Sequence, residues 1–252
     1  MAGFGDAIRP ADLSLALEIA TQASAHTALD RVRQGFFTVR GGHRIGICGS
    51  GVLREGAIWN LRQISSLSVR VAREMPGTAG EVLDRLYGDG RLRSTLILSP
   101  PGLGKTTLLR DLIRCISDGE GVPPLRVGVA DERGELAAMC DGLPQFRIGR
   151  RTDVLDGCPK GEGLMMLLRG MNPQVLAADE ITAPGDVAAL EMAANCGVAL
   201  LATAHGAGPE DLDRRPLYCR LKEAGVFQRL ILIEVRGGVR RYQVRTLESG
   251  TC

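Results

Sequence analysis

The segment TLILSPPGLGKTTLLRDLI, residues 95–113, limits the possible folds of this 252-residue chain more than any other segment. An apolar run leads into a glycine-rich stretch, and an amphipathic helical pattern follows. This strand–loop–helix order is the context of a phosphate-binding P-loop, whose pattern is G-x-x-x-x-G-K-[ST]. Ser99 stands where that pattern has its first glycine. The segment therefore predicts an α/β domain that binds a nucleoside triphosphate.

The predicted P-loop assigns a role to each of its residue types. Glycines allow backbone N–H groups to converge on phosphate oxygens, and the helix N-terminus adds partial positive charge. We expect Lys105 to reach the β and γ phosphates and the Thr106 hydroxyl to bind Mg²⁺. The predicted ATP-binding residues of this segment are Ser99, Pro100, Pro101, Gly102, Leu103, Gly104, Lys105, Thr106 and Thr107.

A carboxylate pair ends the apolar run QVLAADE, at Asp179 and Glu180. Paired acids at a strand end suit the organisation of Mg²⁺ and the activation of water. We predict that Asp179 binds the metal and that Glu180 is the catalytic base. The alternative is a pair of solvated acids near the start of the helix that follows.

Two further strand ends carry polar residues that could reach the same edge of the sheet. Asp131 and Glu132 end RVGVADE, and Thr203 and His205 end ALLATAH. Ligands of α/β proteins bind at this carboxyl edge, so we predict that the acid pair supports the metal or the γ-phosphate and that His205 senses it. Ordinary strand-end charges and a locally hydrogen-bonded histidine are the alternatives.

The apolar patterns divide the chain into two predicted domains. Residues 1–75 suggest a small α+β domain with a helix from Ala11 to about Arg33, capped by Asp12, and four short strands. Residues 76–252 alternate buried strands with helices, which predicts a central, mostly parallel sheet. A final hairpin about Gly237-Gly238 closes the chain.

Composition excludes several other classes of protein. The formal net charge is +2, with both signs scattered along the chain, so no basic nucleic-acid tail is present. Seven widely spaced cysteines without a C-x-x-C pair argue against a zinc site or a disulfide framework and favour a reducing, cytoplasmic location. No apolar run approaches the ~18 residues that span a bilayer. We therefore expect membrane association only through partner proteins.

Six segments in order give the chain a specific family resemblance. They are GFFTVRGGHRIGICG, LRQISSLSVRVARE, PPGLGKTTLLRDLIR, VADERGELAA, TDVLDGCPKGEGLMMLLRGMNPQVLAADEI and ATAHG. Together they resemble the stage III sporulation AA family of endospore-forming bacteria, which is similar to the ATPases of type II secretion and type IV pilus machines.

This resemblance implies a RecA-like ATPase domain, assembly into a ring, taken to be a hexamer, and work in a channel complex between mother cell and forespore. The implied partners are integral membrane proteins of that channel. VADERGE lies where the secretion ATPases have their aspartate box, and ATAHG where they have their histidine box. Arg44 and Arg62 resemble N-terminal-domain arginines that act on a neighbour's nucleotide, although both could be ordinary surface arginines.

Several competing functions share a P-loop. A GTPase should carry an N-K-x-D segment, which is absent, and a small-molecule kinase needs no water-activating acid such as Glu180. A RecA-like DNA motor is an alternative, although only 4% aromatic residues offer little for stacking single strands. A nucleotide-gated scaffold with negligible turnover is the other alternative. The sequence thus favours Mg²⁺-dependent ATP hydrolysis that powers or gates a channel.

Overall fold

The computed structural model describes residues 8–20 and 35–248. The chain divides into two compact units, Met1–Arg73 with Ala138–Gln145 and Glu74–Ala137 with Phe146–Cys252. The sequence assigned the segment Ala138–Gln145 to the second domain, but it belongs to the first unit. The backbone N–H of Gly41 donates to Oε1 of Gln145 at 2.9 Å. Contacts between residues so far apart in sequence leave no local pattern from which to predict them.

The first unit contains a three-stranded antiparallel sheet in the order β1-β2-β3. Its strands are β1 (Phe36–Val39), β2 (His43–Arg54) and β3 (Ala57–Arg70). A short 3₁₀ turn at Arg40–Gly42 joins β1 to β2, and Gly41 has a φ of 82° there. The left-handed backbone of this turn favours glycine.

Two of the four predicted short strands form a single strand, because β3 runs unbroken from Ala57 to Arg70. A bulge lies within it. The pairing register with β2 shifts between Cys48 and Ser50, and Gln63 has a φ of 50°. A bulge bends a strand without ending it, so the sequence pattern is interrupted while the hydrogen-bonded ladder continues.

The first helix, α1, spans Pro10–Ala20 and lies beside β3. The prediction that Asp12 is the N-cap was wrong, because Asp12 is the third residue of the helix. Its Oδ2 accepts a hydrogen bond from the backbone N–H of Arg9 at 2.8 Å. Proline suits the first helical position since it has no N–H to leave unpaired. Residues 21–33 of the predicted helix lie outside the described residues.

A seven-stranded sheet forms the second unit, in the order β12-β11-β6-β10-β9-β7-β8. All neighbours are parallel except β11 and β12, which form the predicted antiparallel hairpin. The strands are β6 (Thr95–Ser99), β7 (Val127–Asp131), β8 (Thr152–Asp156), β9 (Val175–Ala178), β10 (Ala199–His205), β11 (Arg229–Arg236) and β12 (Val239–Thr246). The mostly parallel sheet that the sequence predicted is confirmed.

Helices cover both faces of this sheet. They are α2 (Lys105–Asp118), α3 (Lys160–Gly170), α4 (Pro184–Asn195), α5 (Glu210–Arg214) and α6 (Pro216–Glu223). Leu96 and Leu98 of β6 pack in one cluster with residues of α3, α4 and α6. Because side chains alternate along a strand, Ile97 points to the opposite face, where α2 packs on β6. Burial on both faces explains why the strands read as continuous apolar runs.

Two strand features of this unit were not predicted. Strand β8 is an edge strand whose residues are mostly half-buried, so it lacks a continuous apolar run. A two-stranded hairpin pairs β4 (Tyr87–Gly88) with β5 (Arg91–Leu92). Short 3₁₀ turns at Ala79–Glu81 and Leu83–Leu86 precede it. Elements of two residues are too short to produce a periodic pattern.

Residues 74–80 are held on α2. Asp111 Oδ2 accepts hydrogen bonds from the backbone N–H groups of Gly77 and Ala79, both at 2.8 Å. Arg114 lies 2.8 Å from the other oxygen of Asp111, so this buried carboxylate is paired as well as hydrogen-bonded. The segment is therefore a structured part of the second unit.

Among the cysteines in the described residues, five are free thiols and Cys219 is disulfide-bonded. The cysteine spacing suggested that disulfides are absent, and this bond contradicts that expectation. No helix of the described residues is long and apolar enough to cross a membrane.

Candidate active site

The loop between β6 and α2 has the backbone of a phosphate cradle. Gly102 and Gly104 have φ values of 78° and 98°, in the left-handed region that favours glycine. A Cβ on Gly104 would lie 3.1 Å from Cζ of Arg240, so a side chain there would crowd its neighbour. Ser99 does not have a positive φ, which explains why serine fits where the usual pattern has glycine. Thr107 follows in the first turn of α2 and is half-buried.

Lys105 is buried at the start of α2, with 5% of its surface exposed. Its Nζ donates to the backbone oxygens of Ser99 and Pro100, both at 3.1 Å, and lies 3.0 Å from Nδ1 of His205. Burial lowers the pKa of Lys105, while the charges of Asp179 and Glu180 oppose that shift. The ammonium group is thus held inside the loop by neutral acceptors that charged phosphate oxygens could replace.

Asp179 joins the P-loop to strand β10. The Thr106 hydroxyl donates to Oδ2 of Asp179 at 2.7 Å, and the Thr203 hydroxyl donates to Oδ1 at 2.5 Å. Burial raises the pKa of Asp179 above its ordinary value, although the two threonine hydrogen bonds partly counter this. The structure therefore brings together the two predicted metal ligands, Thr106 and Asp179.

Glu180 lies two residues after the end of β9 and has a strained backbone conformation. Its φ is 52°, a left-handed value that costs roughly 1–3 kcal/mol for a residue other than glycine. The backbone N–H of Glu180 donates to the Thr203 hydroxyl at 2.8 Å. Its carboxylate has two partners, with His205 Nε2 2.6 Å from Oε1 and Arg133 Nη1 2.9 Å from Oε2. Such strain is typical of functional sites, where surrounding contacts hold a residue in place.

His205 connects the lysine of the P-loop to this glutamate. Because an ammonium group can only donate hydrogen bonds, Nδ1 of His205 accepts from Lys105, and the proton of the neutral ring lies on Nε2. That N–H then donates to Glu180. Lys105, His205 and Glu180 thus form one hydrogen-bonded line, called the lysine–histidine–glutamate line below.

Residues 8–248 match the family described as sporulation stage III, protein AA. The chain belongs to this family. It is 42% identical over 221 residues to stage III sporulation protein AA of Bacillus subtilis. The aligned region covers 87% of this chain and 72% of that protein. It is also 31% identical over 166 residues to the protein SEEDLING PLASTID DEVELOPMENT 1 of Arabidopsis thaliana, covering 65% of this chain and 23% of that protein.

Solved structures confirm the fold that this sporulation family member adopts. The ATPase DotB of Legionella pneumophila superposes with a TM-score of 0.58 at 16% identity, over 95% of this chain and 69% of DotB. The pilus retraction motor PilT with bound ADP gives a TM-score of 0.58 at 18% identity, over 84% of this chain and 62% of PilT. The chain shares the fold of these two proteins, which confirms the RecA-like fold that the family resemblance implied.

The second acid pair of this family member has structural partners. The Asp131 carboxylate accepts hydrogen bonds from the backbone N–H groups of Glu135, Leu136 and Ala137, at 2.8–3.2 Å. Burial raises the pKa of Asp131, and these hydrogen bonds oppose the rise. Asp131 thereby fixes the loop that carries Arg133. Its carboxylate points into that loop, so we propose that it supports the phosphates and metal only indirectly.

Glu132 is paired with Lys160, which is 4% exposed, through an Oε2–Nζ distance of 2.5 Å. Both residues border a small cleft that Asp179, Glu180 and Arg133 also line. Sequence reasoning placed Glu132 at this edge but missed Lys160 and Arg133. Arg133 directly follows the acid pair, and Lys160 is one of only three lysines in the chain, so both offered weak signals.

The two arginines implied by the family resemblance lie in the first unit. The Arg44 guanidinium stacks on the ring of Phe36, with Cζ 3.3 Å from its centroid. Arg62 lies on β3 opposite Ser50 of β2. Neither belongs to the unit that contains the P-loop. A role for either in a neighbour's active site stays a prediction.

Proposed function

We propose that this sporulation family member binds Mg-ATP at Ser99–Thr106 and hydrolyses it with Glu180 as the base. The observation that carries the proposal is the lysine–histidine–glutamate line, which links the phosphate-binding residue to the base. A P-loop alone would support nucleotide binding. A carboxylate connected to the P-loop lysine through one histidine supports chemistry that responds to what the lysine holds.

The residues fit the groups that they would have to bind. Gly102 leaves room for phosphate at the backbone, and α2 directs its N-terminus at the same place. Thr106 and Asp179 already share a hydrogen bond, and one hydroxyl and one carboxylate are a suitable protein contribution to a Mg²⁺ site. When bound there, Mg²⁺ would neutralise charge on the phosphates.

The chain's own groups perform the remaining tasks. Lys105 exchanges its backbone acceptors for phosphate oxygens, which breaks or weakens its contact with His205. The imidazole then transmits this change to Oε1 of Glu180. In its ionised form, Glu180 orients the attacking water and accepts its proton, a role that contributes 10²- to 10⁴-fold in rate.

We further propose that hydrolysis powers or gates a channel complex between mother cell and forespore. The family and the secretion-ATPase fold support this role. In this proposal the chain is cytoplasmic and acts as a ring, taken to be a hexamer. Integral membrane proteins of the channel recruit it to the membrane, and specific nucleic acid plays no part.

A nucleotide-gated scaffold with negligible turnover is the second candidate. One observation favours it, namely that both carboxylate oxygens of Glu180 already have partners. Each oxygen keeps a further lone pair, but these partners restrict where an attacking water can approach the carboxylate. The same experiment separates the two candidates.

The experiment compares nucleotide binding with phosphate release. Lys105→Ala should abolish Mg-ATP binding, because the phosphates lose a buried cation. Glu180→Gln should bind Mg-ATP normally and lose about 10²-fold or more in turnover. Lys222→Ala and the exposed Glu248→Gln are matched controls outside the site. Turnover of the wild-type chain that equals that of Glu180→Gln would favour the scaffold.

A further inference from the structure

A groove lies at the amino ends of the parallel strands in the second unit, away from the P-loop. It is about 800 Å³ in volume, and its lining includes Arg126 before β7, Gln174 before β9 and Val198 before β10. The P-loop and the acids of the candidate active site follow the carboxyl ends of the same sheet. An occupant of the groove would therefore leave the nucleotide site open. Nothing in the proposed hydrolysis uses these residues.

The charge of the groove is one-sided. Arg91, Arg126 and Arg169 line it, whereas no aspartate or glutamate does. Within residues 8–20 and 35–248, none of these three arginines forms an ion pair. The Arg126 Nε donates to the backbone oxygen of Asn172 at 2.9 Å. Three arginines grouped without acidic partners favour an acidic ligand.

The groove, called the basic lobe below, continues into a second lobe whose lining is mostly apolar but also includes Glu162 and Asp186. A cavity of about 580 Å³ between α3 and α4 shares Met165, Arg169 and Met192 with the first. Met166 and Met192 are 60% and 51% exposed, which is high for large apolar side chains. Methionine adapts to varied partners and is common at peptide-binding surfaces. Pockets for small molecules are usually about 300–1,000 Å³, so two connected lobes suit a longer ligand.

We propose that this groove binds an acidic, amphipathic helical segment of a partner protein. The apolar face of the segment packs on the methionines between α3 and α4. Its carboxylates meet Arg91, Arg126 and Arg169. Helices that lay an apolar face into a groove are a recurrent mode of peptide recognition. The charge of the basic lobe sets the preference for acidic segments.

The test uses two synthetic twelve-residue helical peptides with the same apolar face. One carries glutamate on its polar face and the other carries lysine. We expect the acidic peptide to bind the wild-type chain at least ten times more tightly in fluorescence anisotropy. Arg91→Glu with Arg169→Glu should remove this preference, whereas Arg241→Glu with Arg245→Glu on β12 makes the same charge change outside the groove and should keep it. Equal binding of both peptides would overturn the proposal.

A thiol in the groove reports where the peptide binds. Cys196 lines the basic lobe and is exposed and free, and Cys48 is an exposed free thiol in the first unit. Bound acidic peptide should slow alkylation of Cys196 severalfold and leave Cys48 unchanged. Unchanged alkylation of Cys196 would place the peptide elsewhere and contradict the proposal. Protection of Cys196 that grows with chain concentration alone would instead identify a second copy as the occupant. ATP binding by the Arg91→Glu, Arg169→Glu chain should equal that of the wild type, which separates this proposal from the proposed hydrolysis.

Discussion

Nη1 of Arg133 lies 2.9 Å from Oε2 of Glu180, on the side of the carboxylate opposite to His205. Arg133 belongs to the loop that the buried Asp131 fixes through three backbone N–H groups. An exposed ion pair adds little stability, and the Arg133 side chain is 56% exposed. The contact therefore matters for the position of Glu180 more than for folding.

Arg133→Gln should lower turnover about tenfold, a part of the 10²- to 10⁴-fold that a positioned base provides. The affinity for Mg-ATP and the melting temperature should change little, because the P-loop is intact and the ion pair is exposed. Steady-state kinetics with a binding titration measure this, and Arg245→Gln on β12 is the matched control. Turnover equal to that of the wild type would mean that Arg133 does not position Glu180.

Substitution of His205 tests the lysine–histidine–glutamate line. In His205→Asn, the amide occupies the place of Nδ1, near Lys105, whereas in His205→Gln it reaches the place of Nε2, near Glu180. We expect both variants to bind Mg-ATP and His205→Gln to retain more turnover, because it keeps the contact with the base. Phosphate-release rates at saturating ATP provide the measurement. If His205→Asn proves the more active, the contact with Lys105 is the important one.

We expect the buried carboxyl of Asp179 to lower the stability of the fold while being required for turnover. Its folded pKa is raised above the ordinary value of 3.8. Between that value and the folded pKa, the native state binds more protons than the unfolded state, so the free energy of unfolding falls as pH rises through this window. At neutral pH the buried charge is therefore destabilising.

Asp179→Asn removes this charge, so at pH 7 we expect about 1 kcal/mol of added stability, or a melting temperature about 2–4 °C higher. Mg²⁺-dependent turnover should be lost. The stability difference should disappear as the pH is lowered toward 3.8, where the wild-type carboxyl is protonated. Asp153→Asn on the half-buried edge strand β8 is the control in thermal scans. A lower melting temperature for Asp179→Asn would show that its threonine hydrogen bonds outweigh the cost of burial.

If Arg44 and Arg62 act on a neighbour's nucleotide, the active site is shared between subunits. A chain with Arg44→Ala and Arg62→Ala should bind ATP and turn it over slowly, since an arginine that acts in trans contributes ~10³ to 10⁵ in rate. Mixing it with a Lys105→Ala chain should restore part of the activity, because some interfaces then pair intact arginines with an intact P-loop.

Arg44 also stacks on Phe36, so thermal melting must first show that the double variant is folded. Specific activity of the wild type should rise with protein concentration as rings assemble. Two variants that co-assemble without any recovery of activity would confine catalysis to a single chain.

The sequence alone determined the parts of this protein that depend on local order. The apolar run ending at Ser99, the glycines of the loop and the helix from Lys105 predicted the P-loop, because strand, turn and helix signals follow one another directly. The apolar runs of β7, β9 and β10 predicted a sheet buried on both faces, and with it a common edge for their polar ends. Asp179, Glu180 and His205 could be placed together for that reason.

Only the tertiary structure decided which of these residues touch. Asp131 and Asp179 both follow apolar strands, but one is bound to the backbone of its own loop and the other to Thr106 and Thr203. The contact of Arg133 with Glu180 and the pairing of Lys160 with Glu132 join residues 47 and 28 positions apart. Such contacts depend on how loops from different strands pack, and loop packing is set by long-range burial and hydrogen bonding that no local pattern encodes.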